Sequence, residues 1–304
     1  LRLDLRAGEM TMVLGGTMSR LRQMWPLNLN FDIRHPRALG LVRQVSENWR
    51  PRGEDIGRFA LSGRFSGDNT VFQVSGLSLT AGASVLTGAI NYAEGARPRV
   101  DAKLTASLLT PLEWLPVGSI AALWPPRDRL NRWLTAADGD LTMSITELSV
   151  GRVRDEVKGR TSWHDALLEV DLSEGVLTVR RARARRGAGL VNLSGTLTGG
   201  ALPSLSVTLE AEDLNLSGVR LNEDFILRAG RGAGQVLLRS DGDTFDEMLV
   251  NLSGSGDFAL TEAILAGIDL TALSVAATPP RRAADFVRDA QRFLSIGTSR
   301  FNRA

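Results

Sequence analysis

The chain has 304 residues, 43% of them hydrophobic and 23% charged, with a formal charge of +2, which describes a folded domain and excludes disordered, collagen-like and helical membrane-spanning chains. The basic residues are almost all arginine, lysine standing only at Lys103 and Lys158, so a pI near 9.6 gives little reason to expect nucleic acid as a partner. Cysteine is absent, which excludes disulfides, thiol catalysis and zinc-thiolate sites and leaves the redox compartment open.

In chain order, Leu14-Gly15-Gly16 closes a first strand, and Pro26 opens a second in which Leu27, Leu29, Phe31 and Ile33 alternate with Asn28, Asn30, Asp32 and Arg34. Period two over eight residues is a strand wet on one face. Residues Arg37 to Asn48 break the alternation and read as a short helix. Leu61-Ser62-Gly63, Leu77-Ser78-Leu79 and Leu86-Thr87-Gly88 mark further strands, the first two separated by the turn Gly67-Asp68-Asn69. After Glu94-Gly95, the strand from Pro98 sets Val100, Leu104, Ala106 and Leu108 against Asp101, Lys103, Thr105 and Ser107. The Trp-rich stretch Pro111 to Ala136 reads as two helices divided at Pro125-Pro126, the second carrying Leu130, Trp133 and Leu134. Strands resume with Leu141, Met143 and Ile145, then Leu168, Val170 and Leu172, then past Glu174-Gly175 an arginine run, Arg180, Arg181, Arg183, Arg185 and Arg186. Leu193-Ser194-Gly195, the turn Gly199-Gly200 and the strand from Pro203 with Leu205, Val207, Leu209 and Ala211 follow. Past Asp241-Gly242-Asp243 and Leu252-Ser253-Gly254, a helix over 279–295 has Thr278 as N-cap and Phe286, Ala290, Phe293 and Leu294 on one face. No apolar run approaches the roughly twenty residues of a membrane-spanning helix.

Three of these strands share one phrase. A Leu-x-Gly ending is followed by a Pro-started alternating strand, Gly16 to Pro26, Gly88 to Pro98 and Gly195 to Pro203, and a fourth copy at Gly254 lacks the Pro. Such repetition belongs to architectures whose units stack to bury an apolar face. The expected fold is mostly β: an extended, strongly twisted antiparallel meander built from diverged repeats, with a few short helices. Its units are read as 1–55, 56–137, 138–222 and 223–304. The chain begins at Leu1 and ends at Arg303-Ala304 within a strand-like stretch, and is read as a segment of a longer protein.

The sequence offers little to an enzyme. His35 and His164 sit in turn-like contexts without a second ligand at metal-binding spacing, so no metal and no cofactor is expected. The pairs Glu54-Asp55, Asp138 with Asp140, Glu223-Asp224 and Asp241 with Asp243 read as solvated carboxylates with unshifted pKa values. Gly230-Arg231-Gly232-Ala233-Gly234 and Gly254-Ser255-Gly256 lack the ending of a phosphate loop and read as hairpin glycines. In a strand, Arg181, Arg183 and Arg185 point away from Ala182 and Ala184, which gives a basic ladder that is either a solvated face or a contact for phosphate head groups or an acidic partner.

The phrase from Gly254-Ser255-Gly256 through Phe258 and Leu260 to Gly267-Ile268-Asp269-Leu270 and Leu273 resembles the C-terminal signature of the AsmA family of Gram-negative envelope proteins, to which TamB-like and YhdP-like proteins belong. The units from Leu61-Ser62-Gly63 to Gly88, and from Asp138-Gly139-Asp140-Leu141 through Gly175-Val176-Leu177 to Gly195 and Asp213-Leu214-Asn215-Leu216, are similar to its repeats, and together cover most of the chain. The third unit departs in carrying an arginine-rich strand. The resemblance implies a periplasmic protein held to the inner membrane by an N-terminal helix outside this segment. It further implies an open apolar groove that carries phospholipid between the inner and outer membranes, with other envelope proteins as further partners. On that reading the groove is lined by Leu27, Leu29, Phe31, Ile33, Val100, Leu104, Leu141, Met143, Ile145, Leu205, Val207 and Leu209, and Arg181, Arg183 and Arg185 contact head groups. Two alternatives stand beside it: a closed β-sandwich binding module, and an envelope-assembly factor that carries no lipid.

Overall fold

The computed structural model describes residues 1–19, 26–40, 57–68, 70–114, 124–149, 162–217, 219–220, 226–266 and 298–303. The second half of the 37–48 helix, the middle of the Trp-rich stretch, the pairs Glu54-Asp55 and Glu223-Asp224, the Gly267 to Leu273 part of the C-terminal phrase and the 279–295 helix lie outside the described residues.

Alternating sequence becomes strand almost throughout. The strands are β1 (Arg2–Ala7), β2 (Met10–Met18), β3 (Leu27–His35), β4 (Phe59–Gly67), β5 (Val71–Ala81), β6 (Ser84–Ala93), β7 (Arg99–Leu109), β8 (Gly139–Ser149), β9 (Ser162–Ser173), β10 (Val176–Arg186), β11 (Gly189–Thr198), β12 (Ser204–Asn215), β13 (Val219–Arg220), β14 (Ile226–Asp241), β15 (Ser253–Ala266) and β16 (Thr298–Arg303). The short helices α1 (Pro111–Trp114), α2 (Arg127–Ala136) and α3 (Phe245–Val250) interrupt them. Neighbours in the chain are neighbours in a single sheet, ordered β1 through β12, then β14, β15 and β16, with β13 paired to β14. That order is linear, so the sheet is open and twisted and not closed into a barrel.

The β7–β8 pairing departs from the expected antiparallel meander: the two strands run parallel, Leu104 opposite Met143 and Ala106 opposite Ile145. Alternation is the same in both strand directions, but a parallel neighbour needs a crossover of a dozen or more residues, and the Trp-rich stretch with α1 and α2 is that crossover. Its end is fixed by Val100 N–H donating to the Asp138 carbonyl at 2.8 Å and Asp138 N–H to the Pro98 carbonyl at 2.9 Å.

Several further expectations are corrected. Gly230 to Gly234 lie inside β14 and Gly254 to Gly256 inside β15, where they are strand glycines rather than hairpin turns. His164 stands within β9 opposite Glu147 instead of in a turn. Left-handed backbone recurs inside strands, at Gly76 (φ 58°) in β5, Asp165 (φ 51°) in β9, Asp213 (φ 48°) in β12 and Glu262 (φ 51°) in β15. At Gly76 the β5–β6 register shifts between Val74 and Leu77, a bulge of the kind that increases twist.

The described chain separates into two compact units, one built from 1–184, 193–208 and 238–254, the other from 185–192, 209–237 and 255–304. In the first, α2 seats against turns at one end of the strands and buries Leu130 and Leu134. Asn131 both accepts from Gly200 N–H at 2.8 Å and donates to the Gly200 carbonyl at 2.9 Å. Trp133, expected beside those leucines, points to solvent.

Candidate functional site

Cα partners across a sheet share a face, so the registers decide whether the apolar residues of one strand meet those of the next. They do, over nine strands of the first unit. One row runs Leu5, Met12, Ile33, Leu61, Leu79, Leu86, Ala106, Ile145 and Ala166 from β1 to β9. A second runs Gly16, Leu29, Phe65, Val74, Ile90, Ala102, Leu141 and Val170 from β2 to β9. Between them lies Leu77, Gly88, Leu104, Met143 and Leu168. The opposite face is mostly polar, as in the row Asp32, Ser62, Ser78, Thr87, Thr105 and Ser144.

This apolar face is only half covered. Apart from small side chains such as Ala81, Ala106 and Ala166, Ile145 at 7% exposure, and Leu5 on the exposed first strand, the residues of these rows are half-buried. Two packed sheets would bury such side chains almost completely. The most buried part is the cluster Ala106, Ile145 and Ala166, with Leu86, Met143 and Ala184 against it.

The repeated phrase acquires a geometric reason here. A methyl group on Gly16 would overlap the carbonyl oxygen of Asn28, one on Gly88 that of Lys103, and one on Gly195 that of Ser206. In each copy the glycine is where the following Pro-started strand crosses closest, which no other residue allows.

Sequence reasoning missed an aromatic cluster at one end of the face. Phe65 stacks on Phe72 at 5.3 Å between ring centroids, and Phe72 meets Tyr92 at 5.8 Å. With Val74 and Ile90 they line an open concavity of about 450 Å³ with an almost wholly apolar wall. The pairs Phe65 with Val74 and Phe72 with Tyr92 depend on strand register, and only the turn at Gly67-Asp68 hinted that Phe65 and Phe72 face each other across a hairpin. Asp68 closes that turn by accepting from Thr70 and Val71 N–H, and these bonds hold its carboxyl below the usual range.

Of the residues expected to line a groove, Leu27, Leu29, Phe31 and Ile33 of β3 and Leu104, Leu141, Met143 and Ile145 of β7 and β8 lie on this face, and Val100 opposes Tyr92 at its margin. Leu205 and Val207 are half-buried on β12, Val207 beside Gly195, whereas Leu209 is exposed. Arg181, Arg183 and Arg185 are exposed and alternate with Ala184 of the apolar cluster, so they stand on the other face. Arg181 reaches Glu169 at 4.0 Å, and no described carboxylate pairs with Arg183 or Arg185. Arg180 instead pairs with Asp140, which also holds Arg99. The expectation of unshifted acids therefore fails at Asp140: burial works to raise its pKa, but bonding to Arg180 and Arg99 outweighs it and the value is lowered.

A second concavity, about 360 Å³ and largely polar, lies in the other unit among Arg186, Asp213, Asn215, Arg231 and Glu262. Asp213 and Asn215 alternate with Leu214 and Leu216, and Arg231 bonds both Asp213 carboxylate oxygens at 2.6 Å, so the cleft is largely satisfied within itself. His35 is buried and accepts from Arg37 N–H through Nδ1, a packing role. Among the described residues, no three acidic or histidine side chains are close enough to hold a metal ion. Comparison with family models, with curated proteins and with solved structures finds no match.

Proposed function

We propose that the apolar face is a lipid-binding trough of an AsmA-like envelope protein, along which phospholipid acyl chains lie while crossing the aqueous space between inner and outer membrane. The observation that carries this reading is the continuity of the rows: apolar residues meet apolar residues at every strand boundary from β1 to β9, including the parallel one, while the surface they make stays half open. Water charges about 0.8 kcal/mol for each CH₂ of an exposed chain, or about 12 kcal/mol for a sixteen-carbon tail, so a continuous apolar path removes most of the barrier to movement. The phenyl rings at Phe65 and Phe72 and the glycine notches at Gly16 and Gly88 shape a surface that accepts flexible chains without demanding one ligand shape. The direct test is mass spectrometry of organic extracts from the purified 304-residue chain. Stoichiometric phospholipid is the expected finding, and its consistent absence, in protein expressed with membranes present, would favour the assembly-factor alternative.

A further inference from the structure

At the end of the strands where α2 seats, four large apolar side chains stand out in solvent: Trp133 at 58% exposure on α2, Leu202 at 55% on the β11–β12 turn, and Leu249 at 54% and Val250 at 84% on α3. Hydrogen bonds tie their carriers into one surface within the first unit. Asn131 holds Gly200, Arg127 reaches the Ala201 carbonyl at 3.3 Å and Asp243 at 2.9 Å, and Gly242 N–H donates to the Pro203 carbonyl at 3.0 Å. Thr244 caps α3 by accepting from Glu247 N–H, so Leu249 and Val250 are presented on a formed turn of helix. Exposed apolar residues scattered singly are ordinary, but four on one end, beside charges of both signs, mark an interface.

We propose that this end of the sheet docks into the head-group layer of a phospholipid bilayer. The match is chemical. Arg129 and Arg132 on the outer side of α2 suit phosphates, Asp128 and Asp246 suit the ammonium groups of zwitterionic lipids, the Trp133 indole suits the interfacial depth, and Leu249 and Val250 reach the acyl boundary. Because the charges nearly cancel, apolar insertion holds the contact and anionic lipid is not required. The inference is independent of the trough, whose residues are different.

The test is flotation of the 304-residue chain with vesicles of phosphatidylcholine alone and of phosphatidylcholine mixed with phosphatidylglycerol. The expected result is flotation with both, a loss of about tenfold or more in partitioning for the double variant L249D/V250D and for Trp133→Ser, and no change for Val71→Asp, an equally exposed apolar site on β5. Leu104→Asp, a trough variant, is expected to float like the parent, which separates this surface from the lipid-cargo reading. Circular dichroism and thermal midpoints confirm folding, and Val250→Ser serves if the double variant is unstable. Failure of the parent to float with either vesicle, flotation unaffected by the α2 and α3 variants, or self-association of the chain abolished by those variants without vesicle binding, each overturns the proposal.

Discussion

Gly16 and Gly15 are adjacent and do different work. A side chain on Gly15 meets nothing within 4 Å, whereas one on Gly16 meets the Asn28 carbonyl at a φ of 155°. Gly16→Ala is therefore expected to cost about 2 kcal/mol or more and Gly15→Ala close to nothing, read as the shift in urea midpoint at constant slope. The converse holds at Asp165, whose φ of 51° strains any side chain. Asp165→Gly is expected to leave stability unchanged or raise it by up to about 1 kcal/mol. The sequence displayed the glycines as a repeated phrase, but their reason was not legible in it, because the carbonyl that excludes a methyl belongs to the next strand. Aspartates at left-handed φ carry no sequence signal at all, since the same residue is common in ordinary turns.

Among the elements, strand identity was legible because period two survives any pairing, and the register and direction were not. Nothing in Val100 to Leu108 or Leu141 to Ile145 says parallel. The crossover that imposes it reads in the sequence only as two helices divided at Pro125-Pro126. The seat of α2 was half legible: Leu130 and Leu134 gave its inner face, while its partners Gly200 and Arg97 are turn residues that only the folded sheet brings together. Asn131→Ala removes both bonds to Gly200, and is expected to cost about 1–3 kcal/mol and to speed hydrogen exchange in the β11–β12 turn ahead of the central strands. The Arg99, Asp140 and Arg180 ion pairs tie β7, β8 and β10 together. Since the Asp140 pKa is lowered on folding, its contribution is present above the ordinary aspartate range and is lost as pH falls below about 4. Asp140→Asn is expected to flatten the acid limb of the stability curve and to change neutral-pH stability by about 1 kcal/mol or less, the groups being partly exposed.

For the molecule as a whole, the apolar rows pass from β7 to β8 without a break at residue 138, so the repeats read from the sequence act as one continuous surface through β9. Alternation within each strand was plain in the sequence, but continuity between strands is a property of register and had to be seen. That continuity is the central claim, and the sharpest measurement of it compares phospholipid occupancy, by photo-crosslinking in the 304-residue chain, between Leu104→Asp on the apolar face and its neighbour Lys103→Asp on the polar face. A desolvated carboxylate in the hydrocarbon path costs several kcal/mol. The account predicts that Leu104→Asp loses crosslinked lipid beyond the substituted strand while Lys103→Asp retains it, both being folded. Equal occupancy in the two variants would contradict it and make the apolar face a structural surface with no lipid path.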